Sequence, residues 1–438
     1  MVDWPRMTLR EAGVSLIDCV HATPKAVSEG YPYVAIPQMR NGHIDLASCR
    51  RISEADFTEW TRKARPRPHD VILSRRTNPG VIAVDRTNSQ FALGQNLVLL
   101  RADGTVVLPR FLRWLVSGPH WWEQIEKFIN VGAVFSSLRC ADVPKFELPI
   151  PPLDEQEGIS GLLDDLDDKI ELNRGMNETL EAMAQAIFRD WFVDFGPTRR
   201  KIDGATDPVE IMGGLVTDPD RARELADLFP GRLGHEGLPE GWKEGTLGDI
   251  ARAVGTTISP SQIVPDTPYI GLEHMPRRSI ALEEWEAASK VSSNKTAFRR
   301  GQVLFGKLRP YFHKVGIAPV DGVCSTDIVV LDAADHHARA MIAACVSTDE
   351  FVAFTDQGST GTKMPRTSWG NMKKYKIALA PDAVVQSYSA IVSPLMDKIV
   401  MAIHENRTLA ANRDLLLPKL VSGEIRLRDA DAVLEAAQ

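Results

Sequence analysis

An α+β architecture is predicted: two globular mixed α/β domains in pseudo-twofold arrangement, joined by two long antiparallel coiled-coil helices. Three observations carry the prediction. The chain repeats its landmarks in the same order about 230 residues apart. Each repeat ends in a proline-bounded stretch with heptad spacing. The short apolar runs inside each repeat are joined by basic turns, whereas the connecting parts of the chain are acidic.

The first landmarks are WPRMTL (Trp4 to Leu9) and YVAIPQM (Tyr33 to Met39), echoed by WKEGTL (Trp242 to Leu247) and YIGLEHM (Tyr269 to Met275). VILSR (Val71 to Arg75) then corresponds to VLFGK (Val303 to Lys307), and GQNLVLL (Gly94 to Leu100) to STDIVVL (Ser325 to Leu331). A repeat this long exceeds a solenoid unit of about 20 to 50 residues. Duplication of a globular domain with its helix is the reading that remains. The expected division is a first globular domain over 1–150, a helix over 151–195, a linker over 196–241, a second globular domain over 242–380, a helix over 381–425 and a tail over 426–438.

Within each globular copy, VILSRRTNPGVIAVDR reads as strand, turn at Asn78-Pro79-Gly80, strand, and VLFGKLRPYFHKVGIAPV reads the same way around Arg309-Pro310. The first turn carries Arg75, Arg76 and Asn78, and the second Lys307, Arg309, Tyr311, His313 and Lys314. A further polar loop follows in each copy, with Ser136, Ser137 and Arg139 in the first and Ser359, Thr360, Thr362, Lys363 and Arg366 in the second. Arginine and asparagine can form two-pronged hydrogen bonds to base edges, while lysine serves phosphates. Any one of these side chains alone is an ordinary exposed group. Their recurrence at matched places makes these two loops per copy the candidate nucleic-acid surface.

In the first heptad stretch the apolar steps run Ile159, Leu163, Leu166, Ile170, Asn173, Asn177, Leu180, Ala184, Ile187 and Trp191. The second runs Tyr388, Val392, Leu395, Ile399, Ala402, Asn406, Leu409, Arg413, Leu416 and Leu420. A period near 3.5 keeps one seam facing a partner. Each seam covers about 40 residues, or roughly 60 Å. Asn177 and Asn406 fall at the same heptad position, where a polar residue can fix register, so the two helices are expected to pair with each other. Asp154, Glu155 and Glu157 suit the positive end of the helix dipole. Helical spacing assigns Asp164, Asp165, Asp167 and Asp168 to the solvated side of the seam. The segment 196–241, rich in Gly, Pro and Asp, reads as a linker holding one short helix near Asp220 to Phe229.

The chain of 438 residues carries a net charge of −7, unevenly spread. Residues 1–150 hold +4 and 242–380 hold +3, against −9 for 151–195, −3 for 196–241 and −2 for 381–438. Local field, more than total charge, governs the approach of a phosphate backbone. There is no apolar stretch of about 18 residues and no secretory pattern at the amino terminus, which points to the cytoplasm. Cys19, Cys49, Cys140, Cys324 and Cys345 include no CxxC spacing, so reduced thiols are expected and a metal site is not.

No catalytic constellation is evident. GSTGTKM (Gly358 to Met364) lacks the GxxxxGK[ST] spacing of a phosphate loop. There is no GxGxxG after a strand, no HExxH pair, and no Asn-Pro-Pro-aromatic tetrapeptide of the amino-methyltransferase type. His336-His337 lies in the polar segment DAADHHARA, where a solvated role is expected.

Two variable domains alternating with two heptad helices, each introduced by proline and a nearby glutamine, resemble the specificity subunit of type I restriction-modification enzymes. The resemblance rests on LPIPPLDEQEGI, LLDDLDDKIELN, AIFRDWFVDFGP, LPEGW and LLPKLVSGEIRL and spans essentially the whole chain. The second helix departs from the usual Pro-Pro-Leu-x-Glu-Gln, having Ala-Pro-Asp-Ala-Val-Val-Gln, so Glu155 has no clear counterpart there. The resemblance implies a non-catalytic subunit whose two target-recognition domains each read one half of a split double-stranded DNA site, with the helices setting the unread gap. It implies docking of two methyltransferase subunits, and of restriction/translocase subunits. S-adenosylmethionine, ATP and magnesium would then be bound by those partners, with no cofactor in this chain. Two other classes compete: a fused methyltransferase or nuclease with an unrecognised site, and a coiled-coil scaffold that binds only proteins.

Overall fold

A computed structural model of the chain describes residues 4–436 apart from 41, 132–135, 235 and 362. The chain forms two compact units, one of residues 1–168 with 409–438 and one of residues 169–408. Both are built to one plan, which the repeated landmarks mark out strand by strand.

In the first unit, a four-stranded antiparallel sheet runs in the order Val14–Asp18, Leu97–Ala102, Val71–Ser74, Ile82–Val84. Its central strands read as unbroken apolar runs because both faces are covered. Alternate side chains leave a strand on opposite sides, so Val71, Leu73, Val98 and Leu100 enter one core while Ile72, Leu97 and Leu99 enter another. The second unit repeats this arrangement in the order Ala251–Val254, Ile328–Ala333, Val303–Gly306, Val315–Ile317. There Val303, Phe305 and Leu331 face one core, and Leu304, Ile328 and Val330 the other.

A second sheet in each unit contains a parallel pair at the Tyr landmarks. Tyr33 and Val34 lie beside Ala92 and Leu93, and Tyr269 and Ile270 lie beside Val323 and Cys324. Gly94 follows this pair in the first unit because the strands approach closely there: its N–H donates to the Val34 carbonyl at 2.7 Å, and a Cβ would sit 2.8 Å from that oxygen. The opening strand of each copy pairs antiparallel with its closing strand, Arg6–Thr8 with Glu147–Pro149 and Lys243–Thr246 with Lys376–Leu379. Trp4 and Trp242, which begin the repeat, are both buried at this joint.

The first long helix covers Leu153–Phe188 and continues as a π-helical turn, Arg189–Val193; the second covers Asp382–Ser422. The helices pair within each unit. In the first, Ile159 and Leu163 share a core with Leu416, Leu420 and Val421, and Arg413 Nη1 lies 2.7 Å from Asp167 Oδ1. In the second, the Asn173 amide donates to Asn406 Oδ1 at 2.9 Å, and the Tyr388 hydroxyl donates to the Ala184 carbonyl at 3.4 Å. Residue numbers rise on one helix as they fall on the other, so the pairing is antiparallel within each unit.

Two details differ from the sequence reading. Asn406 finds its partner in Asn173, one turn before Asn177; the Asn177 amide is buried with neither polar atom bonded. The acidic cluster also does not face solvent throughout. Asp164 is 1 % and Asp167 5 % exposed, while Asp165 and Asp168 are exposed. The cause is a set of arginines from the first globular domain. Arg113 Nη2 lies 2.7 Å from Asp164 and 2.9 Å from Asp167, Arg110 also pairs with Asp164, and the Trp114 indole donates to Asp164 at 2.9 Å. Buried carboxylates persist only when so paired. Desolvation lowers the pKa of the Arg113 guanidinium despite both carboxylates.

Among its described residues the segment 196–241 holds three short helices, Gly196–Ile202, Pro208–Ile211 and Pro219–Ala226, the last capped by Asp218 accepting from Arg221 N–H. Ile211, Met212, Leu225 and Phe229 bury into the second unit's core beside Trp191 and Trp242. Asp190 on the π-turn and Arg200 pair at 2.8 Å.

Candidate nucleic-acid interface

In each unit the two candidate loops are brought side by side. The strand Val71–Ser74 ends at Arg75, whose carbonyl accepts from Leu138 N–H at 2.9 Å, and Arg76 bridges Ser137. In the second unit Lys307, at the matching place, accepts through its carbonyl from Thr367 N–H at 3.0 Å, and Leu308 bridges Arg366. The same backbone bond thus joins the two loops in both copies.

The first unit presents Arg76, Asn78 and Arg139 exposed, with Arg75, Ser136 and Ser137 half-buried. Ser136–Ser137 is a strand paired with Asn130–Val131. Thr77, between Arg76 and Asn78, takes a left-handed conformation at φ 66°. Gly80 at φ 95° closes the turn, where a Cβ would meet Trp122 and Ile125 at 2.9 Å. The Arg75 Nε is buried without a hydrogen-bond acceptor.

The second unit presents Tyr311, Lys363 and Arg366 exposed, with Lys307 and Arg309 half-buried. Thr362 lies outside the described residues. The turn is a 3-10 segment, Pro310–Phe312, bracketed by Arg309 at φ 51° and His313 at φ 52°. Left-handed backbone costs such side chains roughly 1–2 kcal/mol each, and holding two in one turn requires anchors. The turn has them. Arg309 N–H donates to the Pro365 carbonyl at 2.7 Å, and the His313 carbonyl accepts from Arg278 N–H at 2.9 Å.

His313 and Lys314, read from the sequence as DNA-contacting groups, turn inward. The His313 ring is 5 % exposed, with Nε2 2.9 Å from the Ser347 carbonyl. Burial pushes its pKa down, opposed by the Ser347 hydrogen bond. The Lys314 ammonium donates to the Leu272 carbonyl, and burial lowers its pKa also. Both have the right chemistry for phosphate, but each is engaged by a backbone carbonyl of a neighbouring segment and serves the turn as an anchor. Sequence reading missed Arg277, whose guanidinium lies 4.2 Å from the Phe312 ring centre, and Asp327, which pairs with Arg366 at 3.2 Å. The doubled arginine in PRRS at 276–279 was the available signal.

Two groups elsewhere bring possible metal-ligating atoms together, Asp18 with Cys19 and His21, and Asp335 with His336 and His337. Burial pushes the Cys19 thiol up to about 11, and its S–H donates to the Gly94 carbonyl at 3.4 Å. Asp335 caps the turn His336–Ala338 by accepting from His337 N–H at 3.1 Å. Both groups are explained by these internal bonds. The cysteines among the described residues are free thiols, and no helix among those residues is long and apolar enough to cross a membrane.

The fold therefore defines two similarly built mixed domains, each offering a two-loop basic edge, on long paired helices. Residues 18–182 match the model of the type I restriction modification DNA specificity domain. The chain is 25 % identical over 408 residues to the type I restriction enzyme HindI specificity subunit of Haemophilus influenzae, covering 81 % of this chain and 86 % of that one. It is 23 % identical over 395 residues to the type I restriction enzyme MjaIX specificity subunit of Methanocaldococcus jannaschii, covering 87 % and 83 %. Its fold is similar to the crystal structure of the type I restriction-modification system S subunit from M. genitalium, with a TM-score of 0.52 at 15 % identity over 96 % of each chain. The chain thus carries a match to the type I DNA specificity domain over residues 18–182 and is similar over most of its length to type I restriction enzyme specificity subunits.

Proposed function

We propose that this chain is the non-catalytic, sequence-reading subunit of a restriction-modification complex, and that each basic two-loop edge reads one half of a split double-stranded DNA site. The carrying observation is the repeated backbone bond, Leu138 to Arg75 and Thr367 to Lys307, which assembles the candidate DNA loops identically in two domains whose loop sequences differ. Like scaffolds with unlike loops suit the reading of two unlike half-sequences. The paired helices serve as the spacer between half-sites.

Methyltransferase subunits are the partners proposed for the helices. Leu172, Met176 and Met183 are exposed on the first long helix and lie within about 40° of one another around its axis, an apolar stripe fit for a helical partner. S-adenosylmethionine, ATP and magnesium are assigned to the partner subunits, and the complex to the cytoplasm. Reaching adenine N6 in a duplex requires flipping the base out, which leaves this chain the task of holding the duplex.

The test is co-expression with the neighbouring methyltransferase, followed by modified-base sequencing. A split, asymmetric motif is expected; methyl transfer by this chain alone would overturn the reading. Arg75→Ala and Lys307→Ala should each weaken binding, lowering the salt slope by about one if the lost contact is to phosphate and relaxing one half-site if it is to a base. A seven-residue insertion near Ile170 should change the gap between half-sites and leave each half-sequence intact.

A further inference from the structure

We propose that Tyr311 is an aromatic wedge that enters the DNA at the half-site read by the second unit and partly unstacks one base step there. The inference rests on the DNA-reading function above and adds to it a local distortion at the half-site read by the second unit.

Four observations support it. Tyr311 is 51 % exposed at the apex of its turn, presenting a large flat ring face to solvent. The turn is bracketed by two left-handed non-glycine residues, Arg309 and His313, and such strain persists only where surrounding bonds over-determine it. Those bonds come from beneath and beside the apex: His313 to Ser347, Lys314 to Leu272, and Arg309 to Pro365. Phe312 supports the Tyr311 ring edge-on at 4.8 Å and is itself covered by the Arg277 guanidinium. The apex is therefore held in place before any partner arrives, so little ordering cost remains to be met on binding.

The surroundings identify the partner. Lys307, Arg309, Arg277, Lys363 and Arg366 lie on the same turn, the neighbouring loop or the Phe312 ring, and among the described residues only Arg366 of these has a carboxylate partner, Asp327. An apolar ring among cations fits a nucleic acid, whose phosphates take the charges while its bases take the ring. Apolar wedges placed between base steps are a known means of kinking a duplex. The matching turn of the first unit, Arg76-Thr77-Asn78-Pro79-Gly80, has no aromatic residue of its own, and the aromatic beside it, Trp122, belongs to a helix packed on Gly80.

The experiment uses the full chain co-purified with its methyltransferase partner, on DNA carrying the split motif. Unstacked thymines are mapped with permanganate and unstacked purines with diethyl pyrocarbonate, leaving out the methylated adenines and the thymines opposite them, which base flipping itself exposes. Wild type and Tyr311→Phe should show a reactive step in the half-site whose reading responds to Lys307→Ala. Tyr311→Ala should lose that reactivity and bind on the order of tenfold more weakly, with an unchanged salt slope. Equal reactivity in wild type and Tyr311→Ala, or a lowered salt slope, would overturn the wedge. Loss of the methyltransferase from the Tyr311→Ala complex would assign the ring to a protein contact and overturn it too. Failure of the wild-type complex to retain DNA would instead reject the sequence-reading function itself.

Discussion

The side-chain amide of Asn173 donates to Asn406 Oδ1 at 2.9 Å and to Glu405 Oε2 at 2.7 Å, so the polar step in the helix seam of the second unit is a bonded pair set one turn from the unbonded Asn177. Replacing either asparagine should have opposite effects. Asn173→Leu leaves Asn406 buried without this partner and should lower stability by about 1–3 kcal/mol; Asn177→Leu removes an unsatisfied amide and should raise it by about 1 kcal/mol. Chemical denaturation of the two variants checks the signs, and equal losses in both would mean that Asn177 is bonded in solution.

In the first unit, Asp164 joins Arg110, Arg113 and the Trp114 indole. Asp164→Ala leaves the buried Arg113 short of compensation and should cost about 3–5 kcal/mol. Arg139→Ala, on an exposed loop, should cost no more than about 0.5 kcal/mol. A similar thermal midpoint for the two variants would contradict the buried network.

Stability should depend on pH through His313. Its pKa in the folded chain lies below the ordinary 6.5 because burial disfavours the cation. Between that lowered value and 6.5 the unfolded chain binds the extra proton, so stability is full above about pH 6.5 and falls as pH drops through the window. His69, also lowered chiefly by burial, acts in the same direction. His313→Gln should flatten part of the midpoint's fall below about pH 6.5; a curve parallel to wild type would show that the ring does not titrate abnormally.

Glycines should separate by site. At Gly196 a Cβ would lie 1.9 Å from Asp190 Oδ1 and 2.7 Å from Arg200 Nη1, so Gly196→Ala should break that ion pair and cost about 1–3 kcal/mol. Gly161 and Gly175, on the first long helix, have nothing within 4 Å of a Cβ, and alanine there should add up to about 1 kcal/mol each. Calorimetry of the three single variants measures the contrast.

The repeat made the shared plan legible because its landmarks fall on structural joints: Trp4 and Trp242 on the opening strands' joint, Tyr33 and Tyr269 on the parallel pair, Arg75 and Lys307 where the two loops meet. Heptad spacing likewise gave the helix faces that pair. It could not reveal Arg113, which approaches the helix from the globular domain and draws Asp164 and Asp167 inward; periodicity describes one element and not what packs on it. For the same reason His313 and Lys314 read as ligands when their side chains serve the turn. The short helices of 196–241 were obscured by proline and glycine: proline here stands in the first turn of each helix, and most of the glycines lie in exposed turns between the apolar residues that bury.

The first unit is assembled from two separated stretches of chain, 1–168 and 409–438, whereas the second is one continuous stretch. Leu416, Leu420 and Val421, which fill the core around Ile159 and Leu163, emerge from the ribosome only after residues 169–408. The domain made first is thus the domain finished last. During synthesis its helix strip must wait with Ile159 and Leu163 uncovered, and a ribosome stalled before residue 409 would release a chain in which only the later-made unit has its full complement of residues.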